Sequence, residues 1–144
     1  MKSRFYPAEW PEVKTEATPD KFEVIHFDSF GEGLKTKVAL KKGDIVFSFS
    51  GIVLPYQNLF TLQYRHNLFI YDPYVMGKVL HSCNPNMSCS MYVREFIARR
   101  DIEPGELLTM DYEETEDELS RAFECHCGSS NCKKYISGRH TKHS

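Results

Sequence analysis

Leu80-His81-Ser82-Cys83-Asn84-Pro85-Asn86 sets a lone cysteine before a turn-forming Asn-Pro-Asn, and 42 residues after Cys83 comes Cys125-His126-Cys127-Gly128-Ser129-Ser130-Asn131-Cys132. Three thiolates at Cys-x-Cys-x4-Cys leave a tetrahedral zinc shell one ligand short, and Cys83 is the obvious donor. Such a metal clamps the C-terminal tail onto the middle of the chain. Disulfides and free core thiols are the competing readings. The chain has five cysteines, an odd number, with three of them inside eight residues. That pattern favours metal in a reducing compartment over a secreted disulfide framework. Cys89 is the thiol left over, and a buried strand cysteine is its plainest reading.

At 144 residues the chain is one domain, long enough for a core and too short for two. Hydrophobic residues at 41% and charged residues at 26% are those of an ordinary globular protein. A net charge of −2 argues against direct nucleic-acid binding and is compatible with a basic partner. Met1 to Asp20 holds three prolines and many charges, unlike a signal peptide. No window approaches the ~18 apolar residues of a membrane span, so no membrane association is expected and the location is intracellular, nucleus or cytosol.

Along the chain, residues 1–20 read as an extended arm that Tyr6 and Trp10 pin to the body. Phe22 to Phe27 alternates as a strand, and Gly31-Glu32-Gly33-Leu34 reads as a turn. Ile45 to Phe49, Ile52 to Leu54, Leu59 to Tyr64 and Leu68 to Tyr71 read as strands, with a short helix or irregular turn over Asp72 to Leu80. Cys89 to Ala98 reads as one strand and Leu107 to Asp111 as another. Thr115-Glu116-Asp117-Glu118 resembles a capping box opening a helix through Phe123. With no helices long enough for parallel βαβ units, the fold class is mostly β, several small sheets around one core.

Four of these segments together resemble a SET domain. Gly31-Glu32-Gly33-Leu34 with Leu40-Lys41-Lys42-Gly43-Asp44 is similar to the family's opening hairpin and turn. His81-Ser82-Cys83-Asn84-Pro85-Asn86 is similar to its Asn-His-Ser-Cys-x-Pro-Asn signature, and Ala98 to Tyr112 to its Asp-Tyr segment. Cys125-x-Cys127-Gly128-x3-Cys132 is similar to the post-SET zinc motif. The resemblance covers residues 22 to 138. It implies a SET domain over 21–114, a post-SET zinc segment over 115–138 and a disordered tail over 139–144.

What the resemblance implies is protein-lysine N-methylation with S-adenosylmethionine as cofactor and a structural zinc on Cys83, Cys125, Cys127 and Cys132. The fold it implies is a compact β structure whose C-terminal segment threads under the signature loop, a pseudoknot. Tyr112 becomes the catalytic tyrosine. Gly31, Glu32, Gly33, Leu34, Leu80, His81, Phe123 and His126 become cofactor-binding residues, with His81 on the adenine side and His126 also an alternative zinc ligand. Phe49, Cys89 and Met110 become the substrate channel, and Asn86 a tie holding the threaded segment. The implied substrate is a basic protein or peptide such as a histone tail.

The chain departs from the family at three places. Leu80 stands for an asparagine, Phe49 for a tyrosine, and Met110 where a Phe or Tyr commonly sits. The segment from Gly51 to Val79 is short, so the insert that walls the peptide groove is mostly missing. The acidic run Asp111 to Glu118 has two readings, a solvated helix start or a field attracting a basic peptide. Three functions remain open: an active methyltransferase, a catalytically dead SET module that binds cofactor or peptide, and a zinc-stabilised β domain without cofactor.

Overall fold

Short β-forming runs separated by Gly, Pro and Asn pair over short distances, which gives several small sheets instead of one large one. A computed structural model of the chain describes residues 4–27, 31–117, 119 and 122–138. Its strands are β1 (Phe22–Phe27), β2 (Gly31–Thr36), β3 (Ile45–Ser48), β4 (Ile52–Leu54), β5 (Thr61–Arg65), β6 (Leu68–Tyr71), β7 (Leu80–His81), β8 (Met87–Ser90), β9 (Glu95–Ala98), β10 (Thr109–Met110), β11 (Phe123–Glu124) and β12 (Tyr135–Ile136). Two 3-10 turns, Met76–Lys78 and Tyr112–Glu114, complete the regular structure, and no α-helix occurs among the described residues. The sheets run β1-β2, β3-β9-β8, β4-β6-β5, β7-β10 and β11-β12. The mostly-β architecture is as expected. The disorder expected for 139–144 falls outside the described residues, and no helix among those described is long and apolar enough to cross a membrane.

Three local expectations need correction. Gly31 and Gly33 form no turn; they lie inside β2, paired with Phe27 and Ile25. A Cβ on Gly33 would come within 3.0 Å of both Leu80 and Phe27, so close packing is what this glycine serves. The run from Cys89 to Ala98 is a hairpin, broken where Arg94 takes φ 58 between β8 and β9. The strands expected between Gly51 and Val79 are present and form the sheet β4-β6-β5.

No described residue from Thr115 to Phe123 is helical. The reason is local competition for side chains. The Thr115 hydroxyl donates to Glu116 Oε2 at 2.7 Å instead of capping, and Glu116 in turn accepts the Gln63 amide at 2.6 Å. Asp111 is the true cap here, its side chain accepting the Glu113 amide at the start of the second 3-10 turn.

Phe47 and Phe96 are the largest fully buried side chains, 5.0 Å apart between ring centroids, and Phe49 packs 5.3 Å from Phe96. The arm joins this body as expected: the Tyr6 hydroxyl donates to buried Asp72 at 2.6 Å, and the Tyr6 and Trp10 rings stack 5.4 Å apart. Glu16 forms a parallel bridge to Ser48 on the β3 edge, and Arg4 pairs with Glu16 at 2.8 Å.

The crossing that matters for function is the parallel pairing of β7 with β10, Leu80 against Thr109 and His81 against Met110. Asn86 locks it. Its side-chain amide donates to Leu107 O at 2.9 Å, while its Oδ1 accepts the Thr109 amide at 2.9 Å. At 2% exposure these groups find no water as a substitute. Asn86→Ala therefore leaves a buried acceptor and a buried donor unpaired, an expected loss of roughly 2–4 kcal/mol in denaturant unfolding; an unchanged midpoint contradicts the lock.

Candidate active site and cysteine cluster

The loop after β7 carries Cys83, and the strand pair β11–β12 closes the loop carrying Cys127 and Cys132, with Cys125 directly after β11. The Sγ atoms of Cys83, Cys125, Cys127 and Cys132 all lie within 4.8 Å of one another, and Cys83 and Cys125 are 3.9 Å apart. None is in a disulfide. Sulfurs at the corners of a tetrahedron around zinc, with Zn–S about 2.3 Å, stand about 3.8 Å apart, so this donor set fits that ion. The Lys133 amide donates to Cys83 Sγ at 3.3 Å, and Asn131 Nδ2 donates to Cys83 O at 2.8 Å.

The cluster is electrostatically uneven. Burial and the neighbouring thiols push Cys125 up to about 12. Burial also opposes the charge on Cys127, but the Ser129 hydroxyl and nearby amides outweigh it and hold this thiol down to about 5. Burial thus opposes charge at Cys83 and Cys125, and a bound cation would relieve that cost.

Tyr112 opens the second 3-10 turn and is tied at both ends to the segment 79–81. Its amide donates to His81 Nδ1 at 3.0 Å, and its hydroxyl donates to Val79 O at 2.6 Å. The His81 side chain is only 1% exposed. Because Nδ1 accepts, the ring proton sits on Nε2, which lies 3.4 Å from Cys83 Sγ. Burial lowers the His81 pKa against the pull of Asp111, keeping the ring neutral. Burial likewise pushes the Tyr112 phenol well above its ordinary value, so it stays protonated at neutral pH. Tyr112 packs against two apolar groups: the main core, which holds Phe49, Met110 and Cys89, and the group around Cys83, Cys125 and Ile136.

The residues expected at the cofactor do not all share one surface. Gly31, at φ 79, faces open space, and Glu32 accepts from Lys78 Nζ at 2.7 Å, a bond that lowers the Glu32 pKa. Gly33 is closed off by Leu80 and Leu107, and Leu34 is fully buried in the core. Phe123 meets the His81 and Tyr112 rings at 5.7 and 6.0 Å. His126 stands apart, exposed, paired with Glu124 at 3.6 Å and outside the group of four cysteines. Of the expected channel residues, Phe49 and Met110 are buried and Cys89 half-buried, its thiol raised by burial and donating to Met91 Sδ at 3.4 Å.

The described part of the acidic run, 111–117, forms no α-helix, and several of its carboxylates take specific partners. Glu113 accepts from Lys133 Nζ at 2.7 Å and from the Gly138 amide at 3.0 Å, fastening the tail beside Tyr112. Glu114 accepts the Cys89 amide at 2.9 Å. Glu116 accepts from Gln57 and Gln63, and Asp117 from Gln63, which docks β5 against the turn after Tyr112. Sequence reasoning gave Val79 and Lys133 no site role, and read Glu113 and Glu116 only as members of an acidic run. Each partner lies tens of residues away, and no local pattern marks it.

The family model for the SET domain matches residues 31–113. Histone-lysine N-methyltransferase ASHH2 of Arabidopsis thaliana is 27% identical over 142 residues, a match covering 82% of this chain and 8% of that protein. Among solved structures, the methyltransferase domain of human histone-lysine N-methyltransferase SETMAR superposes with TM-score 0.64 at 22% identity, covering 81% of this chain and 58% of that one. KRYPTONITE in complex with mCHH DNA, an H3(1-15) peptide and SAH superposes with TM-score 0.61 at 21% identity, covering 79% and 29%. The chain thus spans well under two thirds of these relatives' lengths. With more than half of its 144 residues matched, it belongs to the SET domain family.

Proposed function

We propose that this chain is an S-adenosylmethionine-dependent protein-lysine N-methyltransferase in which Tyr112 orients the substrate amine. The observation that carries the reading is the double tether of Tyr112 to Val79 and His81, on the edge of the core that includes Phe49 and Met110. Membership in the SET family supports it, as do a histone-lysine methyltransferase relative and a similar fold solved with H3 peptide and SAH. The substrate is a basic peptide, a histone tail foremost, and the nucleus is the compartment that such a substrate implies.

S-adenosylmethionine supplies an activated methyl group on a sulfonium. What the protein adds is alignment, worth roughly 7–11 kcal/mol when reacting atoms are well placed. The Tyr112 phenol, held protonated, is a donor and an orienting group and not a base. A lysine amine with a reference pKa of about 10.4 would lose its proton more readily in an apolar channel, the role proposed for Phe49 and Met110. The Gly31 end of β2 would be the side open to the cofactor, because Leu80 closes the Gly33 end. Cys83, Cys125, Cys127 and Cys132 would hold zinc, whose role with four thiolates would be structural and not chemical.

A specific observation favours a second reading. Leu80, packed onto Gly33, and buried Phe49 bring no polar group to the site, which suits a module that binds without transfer. Incubation with labelled S-adenosylmethionine and mixed histones separates the two. Tyr112→Phe is expected to cut transfer on the order of 100-fold, since a small misplacement of the amine costs that much. Thermal stabilisation by cofactor with no transfer in the intact chain supports the module instead.

Metal analysis is expected to give one zinc per chain. Stripping it with a strong chelator, or Cys127→Ser, loosens the tail over Tyr112 and weakens cofactor binding about tenfold or more, read by calorimetry. Equal affinity with and without metal contradicts a structural role for the cluster at this site.

A further inference from the structure

His81 touches both halves of the site at once. Its Nδ1 accepts the Tyr112 amide at 3.0 Å, and its Nε2 lies 3.4 Å from Cys83 Sγ. Its ring sits 5.2 Å from that of Tyr112 and 5.7 Å from that of Phe123, the last aromatic before the Cys125 loop. The side chain is 1% exposed, so neither polar nitrogen has bulk water to turn to. The strand pairing of His81 with Met110 fixes the ring's origin two residues before Tyr112.

We infer that His81 is a positioning residue that couples the cysteine cluster to Tyr112, with Nε2–H donating to Cys83 Sγ and Nδ1 receiving the Tyr112 N–H. The inference rests on the reading of Tyr112 as the orienting tyrosine and of the cysteines as metal ligands. A metal-bound Cys83 is a fixed thiolate, a stronger and better-placed acceptor than a mobile thiol. Holding Nε2 holds the ring, and holding the ring fixes the first amide of the 3-10 turn, a donor with no partner inside that turn. The Tyr112 hydroxyl is set independently by Val79 O, so the relay acts on the backbone end of the residue. This gives the metal a reach beyond the tail it ties down.

The test uses the full chain, zinc-loaded and stripped. In the native chain, stripping is expected to speed hydrogen exchange at the Tyr112 amide at least about tenfold, the worth of one lost hydrogen bond. His81→Asn keeps an acceptor near the Nδ1 position and reaches nothing at Cys83. In that variant the Tyr112 amide is expected to exchange at one rate with and without metal, while kcat falls about tenfold and KM stays within about twofold. A native amide indifferent to metal, or an equal response in both proteins, overturns the relay. If His81→Asn does not fold, nitrogen NMR of the native ring decides: a proton on Nε2 upholds the relay, and one on Nδ1 overturns it. Neither readout of exchange or tautomer needs turnover, so a protein without methyl transfer can still show the relay, and the two claims fail separately.

Discussion

The meeting of Cys83 with Cys125, Cys127 and Cys132 is the constraint on which the functional half of the structure depends. Bringing together residues 42 positions apart costs about 3 kcal/mol in loop closure alone, by the logarithmic scaling of chain entropy. Four thiols by themselves do not repay that. Burial holds Cys125 neutral while Cys127 carries charge, and packed thiols attract each other weakly. A shared cation reverses the sign of the interaction. The two-residue pair β11–β12 and the Glu113 fastening to Lys133 and Gly138 then hold the rest of the tail.

That tail meets the body where the chain crosses itself. β10 slots beside β7 in parallel, Asn86 clasps residues 107 to 109, and Tyr112 emerges two residues later with both ends tied back to 79–81. Tyr112 therefore inherits its place from two sources: a hydrogen-bonded crossing buried in the core, and a metal-type cluster at the surface of that core. The docking of β5 through Glu116 and Asp117 adds a third support to the same turn. Few groups in the chain are positioned by so many separate segments, and alignment is what a methyl transfer asks of a protein.

Much of this was legible in the residues. Cysteine spacing located all four members of the cluster, because a Cys-x-Cys-x4-Cys run one donor short of a tetrahedral set points to a fourth cysteine elsewhere in the chain. Most strands followed from β-branched and aromatic runs bounded by turn residues. The hairpin turn at Arg94 was not legible, since a lone arginine in a left-handed conformation carries no signal of its own. The helix expected from Thr115 failed because the Thr115 hydroxyl turns to Glu116, and Glu116 accepts the distant Gln63 amide, contacts that no local capping pattern registers. The partners of the acidic run were not legible either: charge reads as solvent exposure until a distant lysine or backbone amide claims it. His81 was legible as a site residue, but its partners, Cys83 and the amide of Tyr112, emerge only once β7 and β10 lie side by side.

Coordination at the cluster is the measurement that bears most directly on the central claim that mid-chain and tail share one ion. X-ray absorption at the zinc edge of the purified chain is predicted to show four sulfur ligands at about 2.3 Å, falling to three in Cys83→Ser. A native site with three sulfurs and one nitrogen or oxygen, unchanged by Cys83→Ser, would remove Cys83 from the shell and contradict the claim.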